Sequence, residues 1–156
     1  MVPFNPRIPD STDMPDFANS KTVSLVSWDD IPMEQLSPTI GRKLVSGDGV
    51  MVAHVYLDKG AIVPKHQHHN EQVTYILSGT LRFFIGEDES EVIDVHSGQV
   101  LHIPSNVWHK AEALEDTLAV DVCSPPRGGW VHNRGGCLRG WAAAGGRGRR
   151  GAAGSG

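Results

Sequence analysis

Three histidines and a glutamine are spaced along the chain in a way that would let them share one metal ion. His66 and His68 are two residues apart, and alternate side chains of an extended strand point to the same face. The same count reaches Gln72, whereas Glu71 has the opposite parity. Because a loop between His68 and Gln72 would reset this count, Glu71 stays open as an alternative ligand.

His109 joins this set only if the sheet closes on itself. It lies about forty residues beyond the other candidates, so a closed sheet is needed to bring it to the same point. Taken singly, each histidine has a structural alternative, a hydrogen-bonded or solvent-facing side chain. Taken together, imidazole and carboxamide ligands without sulfur suit one divalent ion of Mn, Fe, Co, Ni or Zn. All of these ligands are uncharged, so such a site should attract small anions.

Two charged side chains near the end of the β-rich region are candidates for catalysis. Asp121 shares its parity with Ala119 and Cys123 in an apolar run. Its carboxyl can therefore point into the interior, where burial raises the pKa and suits the group to proton transfer. The alternative is an aspartate that faces solvent or caps a turn. Arg127 offers a planar fork that fits a carboxylate, or is an ordinary surface arginine.

The elements that position these side chains read as β-strands. Short β-favouring runs separated by Gly, Asp, Ser or Pro predict strands at 22–27, 41–46, 50–57, 72–77, 81–85, 91–95, 99–103, 111–114 and 118–122. Sustained helical periodicity is missing, except for a possible short piece at 31–36. We therefore expect an all-β barrel or sandwich.

The candidate ligands fall in two stretches that resemble the two motifs of the cupins. The first motif is carried by Gly60, His66, His68, Gln72 and Gly79, and the second by Gly98, Pro104 and His109. The resemblance implies a double-stranded β-helix (jelly-roll) barrel, here over residues 22–126, with one divalent metal ion on His66, His68, Gln72 and His109. Cupins commonly have Glu where Gln72 stands and Gly where Asn106 stands.

A narrower resemblance comes from the residues around Gln72 and at the end of the barrel. The His-x-His-x-x-x-Gln site, the string from Glu71 to Tyr75 and the Asp-x-x-x-Pro-x-Arg ending are similar to KdgF-like pectin-degradation cupins. That resemblance implies ring opening and ketonisation of 4,5-unsaturated uronates, with Asp121 as the proton-transfer group and Arg127 as the carboxylate anchor. The family usually has Phe where Cys123 stands. The alternatives are a quercetinase-like dioxygenase or other metal-dependent lyase, and a non-catalytic ligand-binding cupin.

The length and composition of the chain predict one folded domain with an irregular segment at each end. With 156 residues, 39% of them hydrophobic, it has room for one domain and one core. Residues 1–21 are rich in proline and predict an extended arm. Residues 127–156 contain six arginines, eleven glycines and no acidic residue, which predicts a disordered tail. That composition favours a frame-shifted or spacer segment over one that binds nucleic acid.

The sequence also predicts where the protein is located and whether it associates with a second copy. It has no run of eighteen apolar residues and no signal-peptide pattern, so we expect a cytoplasmic protein without a membrane span. Cys123 and Cys137 lack a C-x-x-C spacing and are expected to be reduced thiols. Val2, Phe4 and Ile8 of the arm could pack on a second subunit, which predicts a homodimer.

Overall fold

A computed structural model describes residues 14–127, and the regular structure within them is β. In chain order the strands are β1 (Glu34–Ser37), β2 (Ile40–Ser46), β3 (Met51–Leu57), β4 (Ile62–His66), β5 (Glu71–Ser78), β6 (Thr80–Ile85), β7 (Glu91–His96), β8 (Val100–Ile103), β9 (His109–Ala113) and β10 (Thr117–Ser124). Every pairing between these strands is antiparallel. The all-β class predicted from the sequence is confirmed.

Strands from distant parts of the chain alternate between two sheets. The larger sheet has the order β1-β2-β3-β10-β5-β8 and the smaller sheet the order β4-β9-β6-β7. From β3 onward the chain therefore crosses from one sheet to the other at most of its connections, which is the winding of a jelly roll. The expected double-stranded β-helix is confirmed, and β9 lies directly beside β4.

Alternation along the central strands fills the barrel with apolar side chains. In β3 the buried residues are Met51, Ala53, Val55 and Leu57, and the residues between them face outward. Phe83 of the smaller sheet belongs to the same core cluster. Burying each large apolar side chain contributes about 1.5–3 kcal/mol. The core thus fixes which face of each strand lines the interior.

Residues 22–27, predicted as the first strand, form no strand. Val23 and Leu25 project into solvent, 103% and 97% exposed. β-branched residues favour a strand only where a neighbouring strand pairs with them, and within the described part of the chain the sheets include no partner for this segment. The prediction was therefore wrong for this run.

The sequence pattern missed two strands, β1 and β4, and β4 ends at the candidate ligand His66. The possible helical piece at 31–36 is wrong, because β1 begins at Glu34 and pairs with β2. β4 contains Pro64, which has no N–H to give to a ladder. Because β4 is an edge strand of the smaller sheet, this missing donor costs little. His66 is consequently the last residue of a true strand.

The first described residues lie alongside β2. The N-terminal arm predicted for residues 1–21 is described from Met14 onward. There Phe17 N donates to Ser46 O at 2.7 Å and Ser46 N donates to Pro15 O at 3.1 Å, which lays this segment along β2. The predicted Gly/Arg-rich tail lies outside the described residues, except for Arg127. Between residues 14 and 127 no helix has the length and hydropathy that crossing a membrane requires.

Candidate metal centre

Two strands and one loop bring three imidazole rings together. His66 ends β4, His109 begins β9, and the register of the two strands pairs them directly. His68 lies in the loop that follows β4. The ligand nitrogens of the three side chains all lie within 4.8 Å of one another, a spacing that suits shared coordination of one ion.

Each of these imidazoles is held by a hydrogen bond from its Nδ1 atom to a backbone carbonyl oxygen. The three contacts are His66 to Pro64 at 2.7 Å, His68 to Asn70 at 2.9 Å and His109 to Val107 at 2.8 Å. A carbonyl oxygen only accepts, so the proton of each neutral ring sits on Nδ1. The Nε2 atoms therefore offer lone pairs to a shared ion. This is the arrangement in which outer hydrogen bonds orient metal-ligating histidines.

Burial keeps the three rings uncharged and leaves one nitrogen without a partner. Burial lowers the pKa of His66 to about 3 and that of His68 to about 4, and it lowers the pKa of His109 as well. The positive charge of Arg127 and the close approach of the His109 ring lower the pKa of His66 and His68 further. Among the described residues, His109 Nε2 is buried and has no hydrogen-bond partner. Leaving such an atom unsatisfied costs about 1–3 kcal/mol, a cost that a bound cation would remove.

Gln72 supplies an oxygen beside the three nitrogens. Its side chain is buried in β5, and its Oε1 atom lies 3.1 Å from His68 Nε2. Because the proton of His68 is on Nδ1, both of these atoms are acceptors and their lone pairs face each other. A cation between them would satisfy both. The residues present therefore fit a divalent metal ion with three nitrogen ligands and one oxygen ligand.

Glu71, the alternative ligand left open by the sequence, faces away from the histidines. Its carboxylate is 62% exposed and lies 2.7 Å from His102 Nε2 on the outer surface. The alternation in β5 therefore matches the parity of His66 and His68, although a loop separates these histidines from the strand. It brings Gln72 inside and leaves Glu71 outside.

Asp121 projects from β10 into the same region. It pairs in register with Thr74 of β5, and Thr74 Oγ1 donates a hydrogen bond to Asp121 Oδ1 at 2.6 Å. Burial raises the pKa of Asp121, while the hydrogen bond from Thr74 and the charge of Arg127 act in the opposite direction. A buried carboxyl group with a raised pKa is suited to accepting and releasing a proton.

Arg127 is buried, with 5% of its surface exposed. The segment before it is held by Asn70, whose Nδ2 donates to Pro125 O at 2.6 Å and to Pro126 O at 3.3 Å. The positive charge of Arg127 contributes to the lowered pKa of His66, His68 and His109. Arg127 is thus an interior cation beside the candidate metal ligands and not a surface arginine.

One cavity of about 60 Å³ connects these groups. Its polar end is formed by His66, Gln72, His109, Asp121 and Arg127. Its remaining walls are apolar side chains from both sheets, namely Leu36, Ile40, Val55, Leu57, Val63, Leu81, Phe83, Ala111 and Ala119. A mostly apolar pocket with a few convergent polar groups is the usual form of a small-molecule site.

The family model described as "Cupin domain" matches residues 53–123, which contain all four candidate ligands and Asp121. These residues form a cupin domain, and the chain has the cupin jelly-roll fold. The solved structure of KdgF from Halomonas sp. is similar to this cupin with 29% sequence identity and a TM-score of 0.64, covering 69% of this chain and 97% of KdgF. No curated protein matches the sequence significantly.

Two further structures share the fold of this cupin. An RmlC-like cupin from Shewanella frigidimarina has a TM-score of 0.65 at 21% identity, covering 70% of this chain and 97% of its own. Oxalate decarboxylase from Bacillus subtilis, which has Mn(II) centres, has a TM-score of 0.58 at 24% identity, covering 66% of this chain and 30% of its own. At these identities the likeness shows the fold alone.

In this cupin the loop of the second motif braces the loop of the first. Asn106 N donates to His68 O at 2.8 Å, and Ser105 Oγ donates to His69 O at 2.6 Å. Asn106 has a φ of 62°, a left-handed conformation that asparagine tolerates better than most residues do. The change from the common glycine at this position is therefore accommodated.

Two residues of the site were missed from the sequence, Thr74 and Asn70. Thr74 has the same parity as Gln72 in β5, and this alternation was the available signal. Asn70 lies between His68 and Gln72, in the loop that separates these two candidate ligands. Its contacts with the segment before Arg127 join residues that are far apart in the sequence.

Proposed function

We propose that this cupin is a metal-dependent enzyme acting on a small anionic substrate, and that its reaction is ring opening and ketonisation of 4,5-unsaturated uronates. The observation that supports this proposal is the meeting of His66, Gln72, His109, Asp121 and Arg127 in one cavity. The likeness to KdgF at 29% identity and the KdgF-like motifs of the sequence point to the same substrate class.

The roles of the ligands follow from their charge. His66, His68, Gln72 and His109 would hold the metal ion, and when bound it would polarise a substrate hydroxyl or carbonyl oxygen. Because these four side chains are uncharged, they leave the electrostatic potential of the site positive.

Arg127 binds the substrate carboxylate. Its guanidinium is buried and lines the cavity, and the planar fork of an arginine has a geometry that matches the two oxygens of a carboxylate. Anchoring the acid group there would hold the sugar ring in the cavity that His66 and His109 also line. Hydrogen bonds to charged groups contribute about 1.5–3 kcal/mol each, so this contact selects sugar acids over neutral sugars.

Asp121 moves the proton. Its Oδ1 atom accepts from Thr74, which leaves Oδ2 to take the proton of the hemiacetal hydroxyl as the ring C–O bond breaks. The ring oxygen keeps the electron pair of the broken bond as an enolate, and the same carboxyl group then returns its proton to the enolate carbon as the ketone forms. The sum of these steps gains and loses no atoms, so the reaction is an isomerisation that needs no oxidant. The raised pKa of Asp121 suits a group that must both accept and release a proton.

The proposal is tested by following an unsaturated monouronate with the purified protein. We expect loss of the enol absorbance together with the appearance of the linear keto acid by NMR. D121N should lower kcat by about 100-fold or more. D94N is the matched control, because Asp94 lies on the outer face of β7 and pairs with Arg82, and it should keep the wild-type rate.

Three outcomes would overturn the proposal. A substrate that is bound but recovered unchanged would show a ligand-binding cupin. Uptake of oxygen with a flavonol substrate would show a dioxygenase. Equal rates for wild type and D121N would show that Asp121 does not transfer the proton.

We also infer that two copies of the chain associate. Val23 and Leu25 are fully exposed, and Tyr75 and Val100, which face each other across β5 and β8, are 40% and 60% exposed. Apolar side chains displayed this way are typical of association surfaces. Light scattering after size-exclusion chromatography should give the mass of two chains, and V23S/L25S should shift it toward one. A wild-type mass of one chain would contradict the inference.

A further inference from the structure

Two hydrogen bonds in series connect a candidate metal ligand to the candidate proton-transfer group. Gln72 Nε2 donates to Thr74 Oγ1 at 2.9 Å, and Thr74 Oγ1 donates to Asp121 Oδ1 at 2.6 Å. Thr74 is 1% exposed and Gln72 is 5% exposed, so water does not compete for these contacts. We call this chain of three side chains the relay.

The direction of the relay is fixed by chemistry. The Thr74 hydroxyl has one hydrogen, which it gives to Asp121. The hydroxyl oxygen must therefore accept from Gln72, and only the NH₂ end of an amide can donate. The opposite end of the amide, Oε1, is then turned toward His68 Nε2, where it lies at 3.1 Å.

We propose that Thr74 is a positioning residue that turns the Gln72 oxygen toward the metal ion and ties it to Asp121. The inference rests on the proposed function, since it gives Gln72 and Asp121 the roles assigned there. It explains why a glutamine stands at this position. A glutamate could not donate to Thr74, and the single hydroxyl hydrogen would face two carboxylates. One carboxylate would then be buried with only the Cys123 thiol, a weak donor 4.0 Å from the Gln72 oxygen, at a cost in stability.

The first test measures binding of Ni²⁺ alone to the full-length protein by isothermal titration calorimetry. T74V removes the hydroxyl and keeps the shape of the side chain, and we expect its Kd for Ni²⁺ to rise by about tenfold or more. T74S restores the hydroxyl and should return the Kd to within about threefold of wild type. A T74V protein that binds like wild type would overturn the proposal, and so would a T74S protein as weak as T74V.

The second test does not depend on metal binding or on turnover. Q72E should lower the urea midpoint of the full-length protein, because two carboxylates then share one hydroxyl hydrogen. In Q72E/D121N the relay can run in reverse, since the amide introduced on β10 donates to Thr74 and Thr74 donates to the carboxylate introduced on β5. We expect the double variant to recover most of the lost midpoint.

The outcomes separate the relay from the proposed function. If wild type binds no Ni²⁺ or shows no uronate turnover, the proposed function fails, while the recovery of Q72E/D121N still decides the relay. If the double variant is as unstable as the sum of its single changes, the relay is overturned. Recovery that persists when Thr74 is also changed to Val would overturn it too, because the hydroxyl would then be irrelevant.

Discussion

The four candidate metal ligands carry no charge of their own, so a bound divalent ion would keep its full positive charge in the site. The low pKa of His66 and His68 keeps their Nε2 lone pairs available over the pH range in which most proteins work. With Arg127 buried nearby, the cavity combines neutral ligands with a fixed cation. Such a site favours an anionic substrate over a neutral one.

Replacing His68 by Gln is expected to weaken Ni²⁺ binding by about 100-fold or more, since it removes a ligand and not merely an outer contact. His69 provides the matched control, because it is adjacent in sequence but exposed. H69Q should leave the Kd for Ni²⁺ within about twofold of wild type. Calorimetric titration of both variants measures the difference, and equal affinities would exclude His68 as a ligand.

Replacing Arg127 by Gln should act on the substrate and spare the metal. Loss of a charged hydrogen-bond pair costs about 1.5–3 kcal/mol, so we expect KM for the uronate to rise by about 10- to 100-fold. The Kd for Ni²⁺ should not rise, because Arg127 repels a cation. R82Q is the control, since Arg82 lies on the outer face paired with Asp94. A KM that stays at the wild-type value in R127Q would contradict the anchoring role.

Strands that fill the core are the elements most readily predicted from this sequence. The run predicted at 72–77 corresponds to β5 (Glu71–Ser78), and strand alternation separated Gln72 from Glu71. β4 was missed because Pro64 is acceptable only on an edge strand, and edge position is a property of the sheet. The contact of Thr74 with Asp121 was missed for a related reason: it depends on how β5 and β10 pair, which neither strand shows alone.

Loops also position residues of the site. Asn70 links the first-motif loop to the segment before Arg127 by hydrogen bonds. N70A removes the bonds to Pro125 O and Pro126 O and should lower the free energy of unfolding by about 1–3 kcal/mol. It should also raise KM for the uronate, because Arg127 loses its support. N106G is the comparison, since glycine adopts the φ of 62° without strain. Urea unfolding in which N70A loses no more stability than N106G would contradict this role.

At the scale of the molecule, the jelly roll closes around groups that oppose folding when no cation is bound. His66 and His109 come from the smaller sheet, while Gln72 and Asp121 come from the larger one. Folding therefore buries acceptors against one another. A cation that binds only the folded chain stabilises it in proportion to the logarithm of its concentration over Kd, so metal binding and barrel stability are coupled.

That coupling predicts how the stability of the metal-free barrel depends on pH. The folded-state pKa of His66 is about 3 and that of His68 about 4, both below the ordinary value of 6.5. The unfolded chain therefore binds protons more readily than the folded chain does. Stability is fully present above pH 6.5 and falls as the pH drops from 6.5 toward 4 and then 3. Each histidine contributes a slope of at most about 1.4 kcal/mol per pH unit within its window, and the half-exposed His68 contributes less because solvent screens its charge.

Urea unfolding in EDTA between pH 7.5 and 4.5 measures this loss. The variant H66Q/H68Q/H109Q removes the shifted groups and should show a clearly shallower decline than wild type. Saturating Ni²⁺ should raise the wild-type midpoint by a similar amount between pH 7.5 and about 5, because the folded-state pKa values of about 3 and 4 leave His66 and His68 unprotonated there. Parallel declines in wild type and the triple variant would mean that these histidines do not govern the acid sensitivity of the barrel.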